Sequence, residues 1–198
     1  MTIFSCLCYL SDKIDTFIVF ILMKLNPQKY QPMTPPENVL NAVSGSLLLI
    51  KNSLLLRPFV SNYTHVVMLY THLDKQYVVS MDVIKGCEVL EVTKFYSTMQ
   101  TNISTLDLYE LRKPYSTFDV EKLHTFALKL QGTPYESSGS EFLKSDFKLN
   151  TKDNLSTLFC SECVVLLARE IGVPMEGLAD NYTPDDFAQM PDFWYIKK

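Results

Sequence analysis

Leu158-Phe159-Cys160-Ser161-Glu162-Cys163-Val164-Val165 opens the strongest helical pattern in the chain, with a thiol at its start. Far upstream, Tyr63-Thr64-His65-Val66-Val67-Met68-Leu69-Tyr70 reads as a strand that begins on an imidazole. A thiol at a helix N-terminus and an imidazole fixed on a strand are the parts of a Cys-His hydrolase or acyltransferase. Here the His precedes the Cys, the reverse of papain. Ser156 or Thr157 is the expected N-cap, which puts Cys160 in the first helical turn. Orphan N–H groups and the helix dipole there favour a thiolate and suit a developing oxyanion. Spacing alone fits a buried core cysteine equally well, because Val164, Leu167 and Ile171 continue an apolar face below Cys160. Cys163 lies on an adjacent part of that face and reads as packing.

Outward from this stretch, the helix over Leu158–Ile171 is closed by Gly172 and Pro174. A second helix, opened by Ser116-Thr117-Phe118-Asp119, runs to Gln131 with Val120, Leu123, Phe126, Ala127 and Leu130 on one face. Gly132 and Pro134 stop it. Residues 136–154 are polar and loop-like, with a short helix expected near Glu141–Lys144, and this stretch is placed to form a lid. The first half reads as strands: Ser46–Lys51, His65–Thr71, Gln76–Asp82, Glu88–Val92 and Ile103–Leu111. Thr34-Pro35-Pro36-Glu37 reads as a capped helix start, and Ser44-Gly45 as its end. The class is α+β, an antiparallel meander or partial barrel packed against helices. Residues 1–33 form an N-terminal apolar helix and linker, and 34–198 the main domain.

The 198 residues are 47% hydrophobic and 20% charged, which describes a globular chain with a core. A net charge of −4 with no basic block excludes a nucleic-acid footprint. Five cysteines, Cys6, Cys8, Cys87, Cys160 and Cys163, argue against a disulfide framework. Cys160 and Cys163 lack a second ligand pair for zinc, and the apolar helix they open does not fit a redox turn. No metal or cofactor is expected. Phe17–Met23 is too short for a bilayer, which needs ~20 residues. The segment lacks a signal peptide's basic start and cleavage site, so it reads as a docking helix in an intracellular protein. A sharper reading has residues 1–25 touch a membrane, with Cys6 and Cys8 acylated. Sequons at Asn62, Asn102, Asn154 and Asn181 then go unused.

The imidazole needs an acceptor for its other N–H. On the following strand Gln76, Val78, Ser80 and Asp82 share a face, and both Ser80 and Asp82 lie near its end. Asp82 is the better partner chemically and is equally suited to forming the next turn. His72, in a turn, and His124, mid-helix, read as structural or exposed. Glu162 is near Cys160 but two residues along a helix, on another side.

These residues resemble the circularly permuted NlpC-type papain-like cysteine hydrolase family, with its YiiX- and YebB-like members and poxviral relatives. The matching pieces run in family order: Gly45–Ile50 as the opening strand, Thr64–Met68 as the His strand, and Tyr77–Ser80 with Gly86–Val89 as the next hairpin. Gly132-Thr133-Pro134-Tyr135 matches G-x-P-Y, Phe159–Val164 the nucleophile segment, and Asn181–Phe187 the closing P-x-D-F. The resemblance covers about residues 44–190. It implies a permuted papain-like fold in which Cys160 attacks a carbonyl, His65 is the general base and Tyr135 lines the site. The implied chemistry is amide or ester cleavage or acyl transfer on peptide, peptidoglycan-like or lipid substrates through an acyl-thioester. Ser46 and Ser80 depart from the family: Ser80 stands where the family has a Glu that orients the His, so either Ser80 or Asp82 must take that role. This departure is what an inactive binding or scaffold module would also display. The aromatic content and apolar N-terminus tilt the substrate toward lipids.

Overall fold

Leu47–Ile50 and Val66–Tyr70 are unbroken apolar runs, and every residue in both is buried. They form the middle of a sheet covered on both faces, which is why they do not alternate with polar residues. The computed structural model describes residues 33–52, 62–99, 104–113, 115, 117–136, 148 and 155–197. Six strands, β1 (Ser46–Asn52), β2 (His65–His72), β3 (Lys75–Asp82), β4 (Gly86–Glu91), β5 (Ser104–Leu111) and β6 (Trp194–Ile196), form one open sheet in the order β4-β3-β2-β1-β5-β6. Every neighbouring pair is antiparallel. The β2–β3 turn places Leu73 at φ 47° and Asp74 at φ 59°, the left-handed pair a two-residue hairpin requires.

The helices are α1 (Glu37–Leu40), α2 (Val92–Thr98), α3 (Val120–Leu130), α4 (Cys160–Glu170) and α5 (Pro184–Ala188), with a 3-10 turn at Ala179–Asn181. One sheet face, carrying Leu47, Leu49, Val66, Met68, Val79 and Met81, packs with α3, α4 and α5. The other, carrying Leu48, Ile50, Val67, Leu69 and Val78, packs with α1 and α2. The α+β class and antiparallel sheet are as the sequence implies.

Several boundaries differ. The first helix is a single turn with Pro36, not Thr34, at its N-cap. Val92–Thr98 is a helix rather than the end of a strand, because its buried Val92, Phe95 and Tyr96 recur at helical spacing against the sheet. α3 starts later than Ser116 suggests: the Asp119 carboxylate accepts the N–H groups of Glu121 and Lys122 and caps it. The short helix expected near Glu141–Lys144 and the N-terminal segment of residues 1–25 lie outside the described residues. Among the described residues no helix is long and apolar enough to cross a membrane.

His72 and His124 tie α3 to the sheet. Their rings stack at 3.9 Å and 13°. His124 Nδ1 is 2.8 Å from the Tyr70 hydroxyl, and His72 Nε2 is 2.6 Å from a Glu121 oxygen. Burial, then the neighbouring His72, lowers the pKa of His124.

β4 begins where it does because the chain passes under a second segment at Gly86. Cys87 N–H donates to the Thr133 carbonyl and Gly132 N–H to the Cys87 carbonyl, both at 2.8 Å. A β-carbon on Gly86, which has φ +77°, would overlap the Thr133 carbonyl oxygen. We therefore expect Gly86→Ala to destabilise the protein by more than ~2 kcal/mol, against about 1 for a left-handed position with open space. Gly132, at φ +82° with nothing near, is that control. Denaturant melts of both variants check it, and equal losses would remove the packing explanation.

Candidate functional site

The start of α4 is set by an extended segment, not by a polar cap. Leu158 forms a parallel bridge with Tyr135. Leu158 N–H donates to the Pro134 carbonyl, and Glu136 N–H to the Leu158 carbonyl, each at 3.0 Å. Phe159 is therefore the N-cap and Cys160 the first helical residue, whereas the sequence suggested Ser156 or Thr157 as the cap. Phe159 has no side-chain acceptor to offer the helix. Glu162 supplies the reverse half of a capping box, its carboxyl accepting the Phe159 N–H at 2.5 Å. Tyr135 meets Phe159 edge-on at 6.0 Å. Tyr135 thus stands beside the residue that precedes Cys160. Cys160 itself is only 5% exposed.

His65 is the first residue of β2, paired with Ile50 of β1. Its Nε2 lies 3.0 Å from the Ser80 hydroxyl. Of the two acceptors the sequence left open, Ser80 makes the contact. Asp82 turns its Oδ1 to the N–H groups of Ile84 and Lys85, both at 2.8 Å, and so caps the β3–β4 turn. Asp82 reaches His65 only through its charge. Partial burial of the ring pushes its pKa down to about 4, with the Asp82 charge pulling the other way. The imidazole is neutral at physiological pH, the form a general base needs.

Cys160 and His65 come to the same end of the sheet. Cys163, one turn below Cys160, has its Sγ 4.0 Å from Cys87 Sγ, and Cys87 pairs with Met81 near the end of β3. That end of β3 lies beside the start of β2. The far end of α4 brings Ile171 against Gly45, whose N–H donates to Leu69. α4 therefore runs along β2 from its His65 end, with Cys160 leading. The pleat, however, assigns the two residues to different faces. His65 shares the side of Ile50 and Val67, which pack with α1 and α2, while Cys160 packs with the α3–α4 side.

A feature the sequence reading passed over is the carboxyl cluster at this helix start. Glu162 is 2% exposed. Burial, then a hydrogen bond to Asp180, pushes its pKa up to about 9, with the Asp180 and Glu136 charges adding to the rise and the Phe159 N–H opposing it. A protonated Glu162 donates to Asp180 and puts no negative charge beside Cys160. The sequence gives no sign of this, since Asp180 arrives from the 3-10 turn eighteen residues later. Among the described residues no cluster of three or more His, Cys, Asp or Glu side chains is arranged to hold a metal.

Comparison with known proteins found no family model that matches the chain and no matching curated protein.

The two shifted groups give opposite pH dependences. His65 has a folded pKa below its unfolded value of 6.5, so the unfolded chain binds its proton first. Its contribution to stability is complete above pH ~6.5 and is lost as the pH falls toward ~4. Glu162 has a folded pKa above its unfolded 4.5, so its contribution is present below that value and is lost as the pH rises through about 9. We expect Glu162→Gln to gain stability relative to the parent as the pH rises from 5 to 9. Parallel urea titrations across that range measure it, and a constant offset would show that Glu162 keeps its charge in the fold.

Proposed function

We propose that this protein is a thiol-dependent hydrolase or acyltransferase of the permuted NlpC-type papain-like kind, acting on amide or ester bonds. The observation that carries this reading is the arrival of a helix N-terminus bearing Cys160 at the sheet end where neutral His65 is hydrogen-bonded to Ser80. Cys160 is the nucleophile, forming an acyl-thioester with a substrate carbonyl. The first N–H groups of α4 face the developing oxyanion. His65 takes the thiol proton and returns it to the leaving group, with Ser80 holding the ring. Ser80 carries no charge, so an imidazolium gains less here than beside a carboxylate. The rate is expected to be modest for that reason. Substrates are peptide- or lipid-like.

A second reading, a papain-like binding or scaffold module without turnover, draws on a specific observation. The pleat directs His65 to the sheet face opposite Cys160, and the thiol is nearly closed off from solvent.

One experiment separates them. The alkylation rate of Cys160 against pH is followed by peptide mapping in the parent and in His65→Ala. For a working pair, labelling is fast below pH 7 and falls at least tenfold in the variant, since one unit of thiol pKa is about tenfold in thiolate. Slow labelling with the same profile in both proteins leaves the binding module. Cys160→Ala is expected to fold and to lose all turnover of ester and amide model substrates, and residual activity in it would reject Cys160 as the nucleophile.

A further inference from the structure

We propose that Cys87 and Cys163 form a reversible oxidation site, a dithiol that a small hydroperoxide converts to a disulfide joining β4 to α4. The two sulfurs face each other at 4.0 Å, one from the sheet and one from the helix, and both residues are 1% exposed. A disulfide needs about 2.05 Å between sulfurs, so the pair must close by about 2 Å. The Cys87 main chain does not supply that movement. Its N–H and carbonyl are both held by the Gly132–Thr133 backbone. The closing falls to the two side chains and to the first turns of α4.

Either thiol can donate in the contact between them, so either can be the one that ionises and attacks. Its thiolate takes one oxygen of the hydroperoxide, the O–O bond breaks, and the other oxygen leaves as hydroxide or alkoxide and is protonated. The second sulfur then attacks the sulfenic acid, losing its proton as the S–O bond breaks and water leaves. Two thiols lose two electrons, and the hydroperoxide is reduced to water or an alcohol plus water. A bulky disulfide oxidant does not fit a pair this enclosed, whereas hydrogen peroxide is little larger than the water that enters by local opening.

The consequence follows from position. Cys163 lies one turn from Cys160 on the same helix. Drawing it toward β4 shifts the end of α4 that carries Cys160. The inference rests on the sulfur geometry and stands whether or not Cys160 acylates.

The test treats the full chain with hydrogen peroxide at neutral pH, blocks remaining thiols with N-ethylmaleimide in denaturant, and maps peptides without reductant. The expected result is loss of the mass of two hydrogens in a Cys87–Cys163 cross-linked peptide that dithiothreitol restores. This reading needs no variant to fold. Cys87→Ser, once its circular dichroism matches the parent, is expected to give no cross-link to Cys163. Recovery of both as maleimide adducts at peroxide doses that oxidise Cys160 overturns the proposal. So does a Cys160–Cys163 cross-link in its place.

Discussion

Four backbone hydrogen bonds decide where Cys160 sits. Two join Cys87 to Gly132 and Thr133, and two join Pro134 and Glu136 to Leu158. Through them the edge strand β4 hands its alignment to the segment after α3, and that segment hands it to the residue two before Cys160. The helix cannot start earlier, because Leu158 is committed to an extended bridge, and it cannot slide along the sheet without breaking the same bonds. Cys160 is thus located by main-chain geometry, while the close-packed contact of Val164, Leu167 and Ala168 with the core supplies the hydrophobic free energy.

Much of this was legible in the residues. β1, β2 and β3 were, because runs such as Leu47–Ile50 and Val66–Tyr70 have the length and unbroken apolar character of buried strands. α3 and α4 were, because their apolar spacing is helical and glycine closes each. α2 was not: Val92-Thr93-Lys94-Phe95-Tyr96 is made of strand-favouring residues, and only the core under Phe95 and Tyr96 turns it into a helix. β6 was not, since three residues carry no periodicity and Trp194 is fixed by its hydrogen bond to the Gly45 carbonyl, 149 positions away. Cys160 and His65 were singled out by type and context, and both lie toward one end of the sheet, on different faces. The choice of Ser80 over Asp82 was not legible, because it turns on a turn-capping demand made by Ile84 and Lys85 that competes for the same carboxylate.

The electrostatics at the head of α4 hold two opposing tendencies. The dipole and the orphan N–H groups favour a negative sulfur, and the Glu136, Glu162 and Asp180 carboxyls oppose it. The protein resolves part of this by keeping the proton on Glu162. The same carboxyl that caps the helix through Phe159 therefore does so without setting a full charge two residues from the thiol. A glutamine would supply the same acceptor. Glutamate differs in that it can be deprotonated, so the capping contact and the thiol environment are coupled at alkaline pH and nearly independent below it.

The pleat poses the harder question for any Cys-His reading. His65 belongs to the α1–α2 side by its pairing with Ile50, and Cys160 to the α3–α4 side. Opposite faces exclude a direct contact in the middle of a sheet, where the strand itself intervenes. They do not exclude it at the end. His65 is the first residue of β2, so no residue of its own strand lies beyond it, although β1 runs on beside it through Lys51 and Asn52, and α4 points Cys160 toward that same end. Twist is free to rotate a terminal side chain around the margin of the sheet in a way that a residue two positions inward could not follow. The Ser80 hydrogen bond then has a definite mechanical meaning. It is the contact that fixes the orientation of the imidazole at that margin, which is the role the proposed Cys-His reading gives to Ser80.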